Sequence, residues 1–150
     1  SKDNYNYLSN MLNFYCNKIK KIKLIIGHSH EAICSANMVI AVSGTATLEA
    51  ALYKKPMIIV YKTSLLSYLL LKNMLLIPYI GLPNILLNRF IVPEFLQNKA
   101  TPESISNKAV EILTDKKLQN YLNTKFKDLH IKLKRNGSEL IYRKIIKYLK

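Results

Sequence analysis

The residues best suited to chemistry lie in Ser43-Gly44-Thr45-Ala46-Thr47-Leu48-Glu49-Ala50, fed directly by the apolar run Met38-Val39-Ile40-Ala41-Val42. This order reads as a strand, a small-residue turn and a helix. Such a junction leaves first-turn N–H groups unpaired and places the positive end of the helix dipole beside them, which suits a phosphate group held by Ser43, Gly44 and Thr45. Glu49 lies one turn beyond Thr45 on the same helix face. Helical side chains lean toward the N-terminus, so its carboxylate can reach back to a sugar hydroxyl. Two simpler roles for Glu49 fail on counting. A capping box needs Ser or Thr three residues earlier, where Ala46 stands, and an i,i+4 ion pair needs a base at Tyr53. For Thr45 and Thr47, bonding to nearby backbone is an equal alternative.

Further candidates are polar groups in loops. His28 and His30 sit in Gly27-His28-Ser29-His30, between an apolar run and a short helix. Asn84 and Arg89 belong to a turn-rich stretch, Pro78 to Arg89, that is able to fold back over the edge carrying Ser43. There they could face the same pocket, whereas the alternative is ordinary loop closure.

Positioning these residues requires alternating strands and helices. Residues 5–20 carry apolar groups at helical spacing, Ile22-Lys23-Leu24-Ile25-Ile26 reads as a strand, a short helix runs through Ala36, and strands follow at 38–42 and 57–61 around a helix at 44–55. That alternation implies a parallel sheet covered on both faces, with ligands beyond the carboxyl ends of its strands. Residues 64–77 form a helix apolar around most of its circumference, too short to span a bilayer. It suits a core position, a contact with another domain, a membrane surface or an acyl chain. Thr101-Pro102-Glu103 is a helix start with cap, proline and first-turn acid, opening helices at 102–114 and 115–135. A last basic helix begins at Ser138.

Composition bounds the class. The 150 residues suffice for one domain with a core. Two cysteines without CxxC spacing, and no His/Cys clustering, argue against zinc or a disulfide framework and fit a reducing compartment. The first twenty residues are polar, so no signal peptide is expected. The start at Ser1 is compatible with a fragment. Net charge is +14, with 23 Lys and Arg against 9 Asp and Glu. Lysine greatly outnumbers arginine and Asn and Ile are abundant, so the charge fits A/T-rich codon usage and an anionic membrane surface better than a nucleic-acid groove.

The chain is similar to the lipid-A-disaccharide synthase family, glycosyltransferases of GT-B architecture. The likeness runs in order through Ser43–Ala50, Pro56-Met57, Tyr79 with Leu82-Pro83-Asn84, Arg89, Val92-Pro93-Glu94, Leu96-Gln97, Thr101-Pro102-Glu103 and Phe126 to Leu129-His130, across residues 24–140. Phe90 departs from it, standing where relatives often carry a charge.

The resemblance implies an α/β, Rossmann-like parallel sheet with C-terminal helices. Residues 1–150 would be part of the C-terminal, UDP-sugar-binding half, with the N-terminal acceptor domain outside this chain. It implies inverting transfer of diacylglucosamine from UDP-2,3-diacylglucosamine to 2,3-diacylglucosamine 1-phosphate, giving a β-1,6 disaccharide 1-phosphate and UDP. The catalytic base is expected in the missing domain, so none is assigned. The donor would contact Ser43, Gly44, Thr45, Glu49, Asn84 and Arg89, with His28 near the uracil and Gln97 as lesser candidates. No metal or cofactor is expected, in keeping with the lack of a DxD-type motif. Partners would be the two lipid substrates and, peripherally, the inner face of a Gram-negative inner membrane; a homodimer stays open. Competing readings are another GT-B UDP-sugar transferase or epimerase, which the Leu82-Pro83-Asn84 and Val92-Pro93-Glu94 blocks disfavour, and a basic nucleic-acid-binding module.

Overall fold

The computed structural model describes residues 2–15, 22–64, 78–134 and 145–146. Two compact units divide the chain, 1–32 and 33–150. The first contains helix α1 (Lys2–Tyr15), which exposes Tyr5, Tyr7, Leu8 and Met11. Helix α2 (Ser29–Ser35) begins in the first unit and ends in the second.

The strand expected at Ile22–Ile26 does not form. Residues 22–25 carry no regular structure, and Ile22, Ile25 and Ile26 are 50, 54 and 62% exposed. A β-branched run becomes a strand through packing and ladder partners, since β-propensity is largely contextual.

In the second unit, β1 (Val39–Val42), β2 (Met57–Tyr61) and β3 (Glu94–Leu96) form a parallel sheet in that order. Val39 to Val42 pair with Met57 to Val60, and Ile59 to Tyr61 pair with Glu94 to Leu96. The ladder puts the carboxyl ends of all three strands on one edge. Ile58 and Ile59 point to opposite faces and both are fully buried, so both faces of β2 are covered. Helix α3 (Thr45–Leu52) connects β1 to β2, and α4 (Leu82–Leu87) leads toward β3. A 3₁₀ turn (Gln97–Lys99) then precedes α5 (Pro102–Thr114) and α6 (Lys116–Lys134).

The core joins Ala50 and Ala51 of α3, Met57 and Ile59 of β2, Ile91, Val92, and the α6 stripe Leu122, Phe126 and Leu129. That stripe has the helical spacing that keeps one face inward. At the start of α5, the Thr101 hydroxyl accepts the Ser104 N–H at 3.1 Å, with Pro102 in the first turn, as the sequence predicts. Two elements were not expected. The stretch read as turns contains α4, where Pro83 suits a first helical turn and Asn88 closes the end with a left-handed φ of 48°. The strand Glu94–Leu96 is only three residues long, too short for a periodic signal. The apolar helix expected at 64–77 falls almost wholly outside the described residues, as does the final helix apart from residues 145 and 146.

Candidate functional site

Val42 ends at the carboxyl edge of the sheet, and the chain turns through Ser43 and Gly44 into α3. Gly44 has φ 153° and ψ −167°, a region that residues with a Cβ rarely occupy. A methyl group there would meet nothing within 4 Å, so the glycine serves backbone conformation and not close packing. No side chain caps α3, and Gly44, Thr45 and Ala46 are exposed. The first-turn amides therefore lack the side-chain acceptor that commonly satisfies them. Thr47 is buried; its N–H and hydroxyl both donate to the Gly44 carbonyl, at 3.1 and 2.7 Å, so backbone bonding is its role. Glu49 is half-buried, one turn beyond Thr45.

Ser43 is fastened across the sheet edge. Its hydroxyl donates to the Ile80 carbonyl at 2.6 Å. The two N–H groups flanking the Ile80 α-carbon meet a carboxylate: the Gly81 N–H, in the same peptide group as the Ile80 carbonyl, donates to Glu94 Oε1 at 2.9 Å, and the Ile80 N–H to Glu94 Oε2 at 3.0 Å. Gly81 caps α4, so the Glu94 charge lies at the end of the helix where the dipole favours it. Glycine is required there for space. A Cβ on Gly81 would collide with Ile59 Cδ1 and stand 3.0 Å from Glu94 Oε1.

Asn84 has a different role from the sugar contact expected of it. It is completely buried. Its Nδ2 donates to the Val92 carbonyl at 2.8 Å and to Glu94 Oε1 at 2.7 Å, while Oδ1 accepts the N–H groups of Ile91 and Val92, both at 2.8 Å. A side-chain amide has two donor hydrogens and two acceptor lone pairs, and all four are used inside the chain. The amide therefore ties α4 to the segment entering β3 and has nothing left for a sugar.

Gln97 likewise works within the fold. Its Oε1 accepts the Thr63 N–H at 2.9 Å and its Nε2 donates to the Thr63 carbonyl at 3.0 Å, clamping the loop after β2 to the end of β3. It does so at a left-handed φ of 48°. Beside it, Glu94, Leu96, Gln97, Asn98 and Lys99 line an open cleft of about 280 Å³.

Arg89 is exposed just past α4. The six residues of that helix span about 9 Å, so Arg89 lies a helix length from the Gly81 end where Ser43 is anchored. Its neighbour Phe90 is exposed and tilts against Tyr79, ring centroids 6.5 Å apart. His28 belongs to the first unit, where Nδ1 stands 3.3 Å from Glu31 Oε1. The Glu31 carboxyl is held below its ordinary pKa, first by a backbone hydrogen bond and then by His28.

The structure thus assembles Ser43, Gly44 and Thr45 at one edge with Glu49 one turn along. It assigns Asn84 and Gln97 to loop anchoring and leaves Arg89 a helix length away. Glu94 is the residue sequence reasoning missed as a contributor. Its signal was a lone acid in Val92-Pro93-Glu94-Phe95-Leu96, an otherwise apolar stretch entering the sheet.

Comparison with known proteins agrees with this architecture. A family model described as lipid-A-disaccharide synthetase matches residues 3–145. The chain is 43% identical over 127 residues to the lipid-A-disaccharide synthase of Dechloromonas aromatica, covering 85% of this chain and 33% of that protein. The same-named protein of Methylobacillus flagellatus is 44% identical over 129 residues, covering 86% of this chain and 34% of the relative. That of Cupriavidus pinatubonensis is 45% identical over 120 residues, covering 80% and 30%. The chain spans about a third of the length of these relatives. With the matched region covering nearly every element described above, the chain belongs to the lipid-A-disaccharide synthetase family.

Proposed function

We propose that this chain is the donor-binding portion of an inverting glycosyltransferase that joins UDP-2,3-diacylglucosamine to 2,3-diacylglucosamine 1-phosphate. The products are a β-1,6-linked disaccharide 1-phosphate and UDP. The observation that carries the reading is the β1–α3 junction: an uncapped helix start at the carboxyl edge of a parallel sheet, entered through Gly44 at φ 153°. A diphosphate placed there meets first-turn N–H groups and the positive helix end, and Glu49 one turn on suits a ribose hydroxyl.

The chemistry follows from the charge flow. An acceptor hydroxyl attacks the anomeric carbon opposite the diphosphate, the carbon–oxygen bond to UDP breaks, and the hydroxyl proton passes to a general base. The base belongs to the part of the protein outside this chain. The residues here act on the departing diphosphate, whose growing charge the α3 amides stabilise. Both substrates carry acyl chains and the sequence bears a net charge of +14, which favours peripheral contact with the anionic inner face of the inner membrane. Among the described residues no helix is long and apolar enough to cross a membrane.

Calorimetric titration of the complete enzyme with UDP and UMP tests the reading. UDP is expected to bind more tightly than UMP, and Glu49→Ala to weaken UDP by about 1–3 kcal/mol, the scale of charge-assisted hydrogen bonds. Equal UDP affinity in wild type and variant removes Glu49 from the site, and equal affinity for UDP and UMP removes the diphosphate from the α3 start.

A further inference from the structure

The Ile80–Gly81 peptide group is held at both ends by groups from different strands. Its carbonyl, that of Ile80, accepts from Ser43, directly after β1, and its N–H, that of Gly81, donates to Glu94, the first residue of β3; the Ile80 N–H of the preceding peptide group donates to the same carboxylate. β1 and β3 are not neighbours in the sheet, because β2 lies between them. The Ile80–Gly81 peptide group thus bridges across the middle strand. We propose that Glu94 is a positioning residue for the donor-binding turn Ser43–Thr45, acting through this bridge. The carboxylate sets where the Ile80 carbonyl stands, the carbonyl sets the Ser43 hydroxyl, and the hydroxyl orients the backbone entering α3. Its functional consequence rests on the donor-binding reading above; the mechanical coupling does not.

The chemistry calls for a carboxylate and not merely a polar group. Three donors converge on it, the N–H groups of Ile80 and Gly81 and the Asn84 amide, and both carboxylate oxygens are used. Ionised Glu accepts at every position, whereas Gln must present an NH₂ to at least one of these donors. Glu94→Gln therefore conserves shape and sets donor against donor. The surroundings also hold the carboxylate in place: Asn84 grips it at 2.7 Å, and the missing Cβ at Gly81 leaves room for it. A residue that only closed the 80–81 loop would have no influence on Ser43, and this separates the two roles.

The test is a double-mutant cycle on the full chain with Ser43→Ala, Glu94→Gln and the pair, read by UDP calorimetry and by amide NMR of the ligand-free protein. Each single change is expected to weaken UDP about tenfold, the scale of one lost hydrogen bond, and the pair to be little worse than either alone. Multiplied effects, near a hundredfold by the same scale, overturn the proposal. In the ligand-free protein, Glu94→Gln is expected to shift the Ser43, Gly44 and Thr45 amides. Should Glu94→Gln fail to fold, Ser43→Ala reads the bridge from its other end, by faster hydrogen exchange at Ile80 and Gly81. Unshifted turn amides in a folded Glu94→Gln, or unchanged exchange in Ser43→Ala, overturn the proposal. If the wild type binds no UDP, the donor reading fails while these ligand-free measurements still decide the coupling.

Discussion

Replacing Asn84 by alanine removes a fully buried amide whose four hydrogen bonds all stay inside the chain. The two backbone N–H groups of Ile91 and Val92 lose their acceptor, and the Val92 carbonyl and Glu94 each lose a donor. A buried group left unpaired costs about 1–3 kcal/mol, and water entering the vacated space recovers part of that. The expected loss is about 3–5 kcal/mol, a large share of the roughly 5–15 kcal/mol that stabilises an ordinary domain. Asn84→Asp should not rescue it. The retained oxygen still accepts from Ile91 and Val92, but the second oxygen then faces the Val92 carbonyl and Glu94 Oε1, both acceptors. Urea melts followed by far-UV circular dichroism, with UDP affinity measured alongside, check this. A loss below about 1 kcal/mol in Asn84→Ala, or a normal Asn84→Asp melt, would refute the reasoning. A stable Asn84→Ala that no longer bound UDP would return the residue to the sugar site.

Gly81→Ala should cost about 1–3 kcal/mol by overpacking against Ile59 and Glu94, and a wild-type melting midpoint would mean that α4 can shift away. At Gln97, alanine loses the clamp on Thr63 and keeps the left-handed backbone cost, whereas glycine loses only the clamp. Gln97→Gly should therefore be more stable than Gln97→Ala by about 1 kcal/mol, the reverse of the usual order; urea midpoints ranking them the other way would count against it.

Short-range patterns were legible in the sequence by themselves. The β1–turn–α3 junction, the run Met57–Tyr61 and the Thr101-Pro102 helix start depend on neighbouring residues, since turns, caps and helical stripes are set within a few positions. The parallel arrangement also followed from the alternation of these elements. Tertiary structure decided the rest, because it concerns partners distant in the chain. Ile22–Ile26 has strand composition and no strand, as composition does not supply a ladder. Asn84 and Gln97 looked like ligand contacts because a polar side chain in a loop carries no local sign of whether its partners are in the chain or in a substrate. Their partners are Ile91, Val92 and Glu94 for the one and Thr63, 34 residues earlier, for the other. Glu94 became the centre of the network only when folding brought Ile80, Gly81 and Asn84 to its carboxylate; hydrogen bonds reach about 3 Å, and only three-dimensional packing sets which groups fall within that distance.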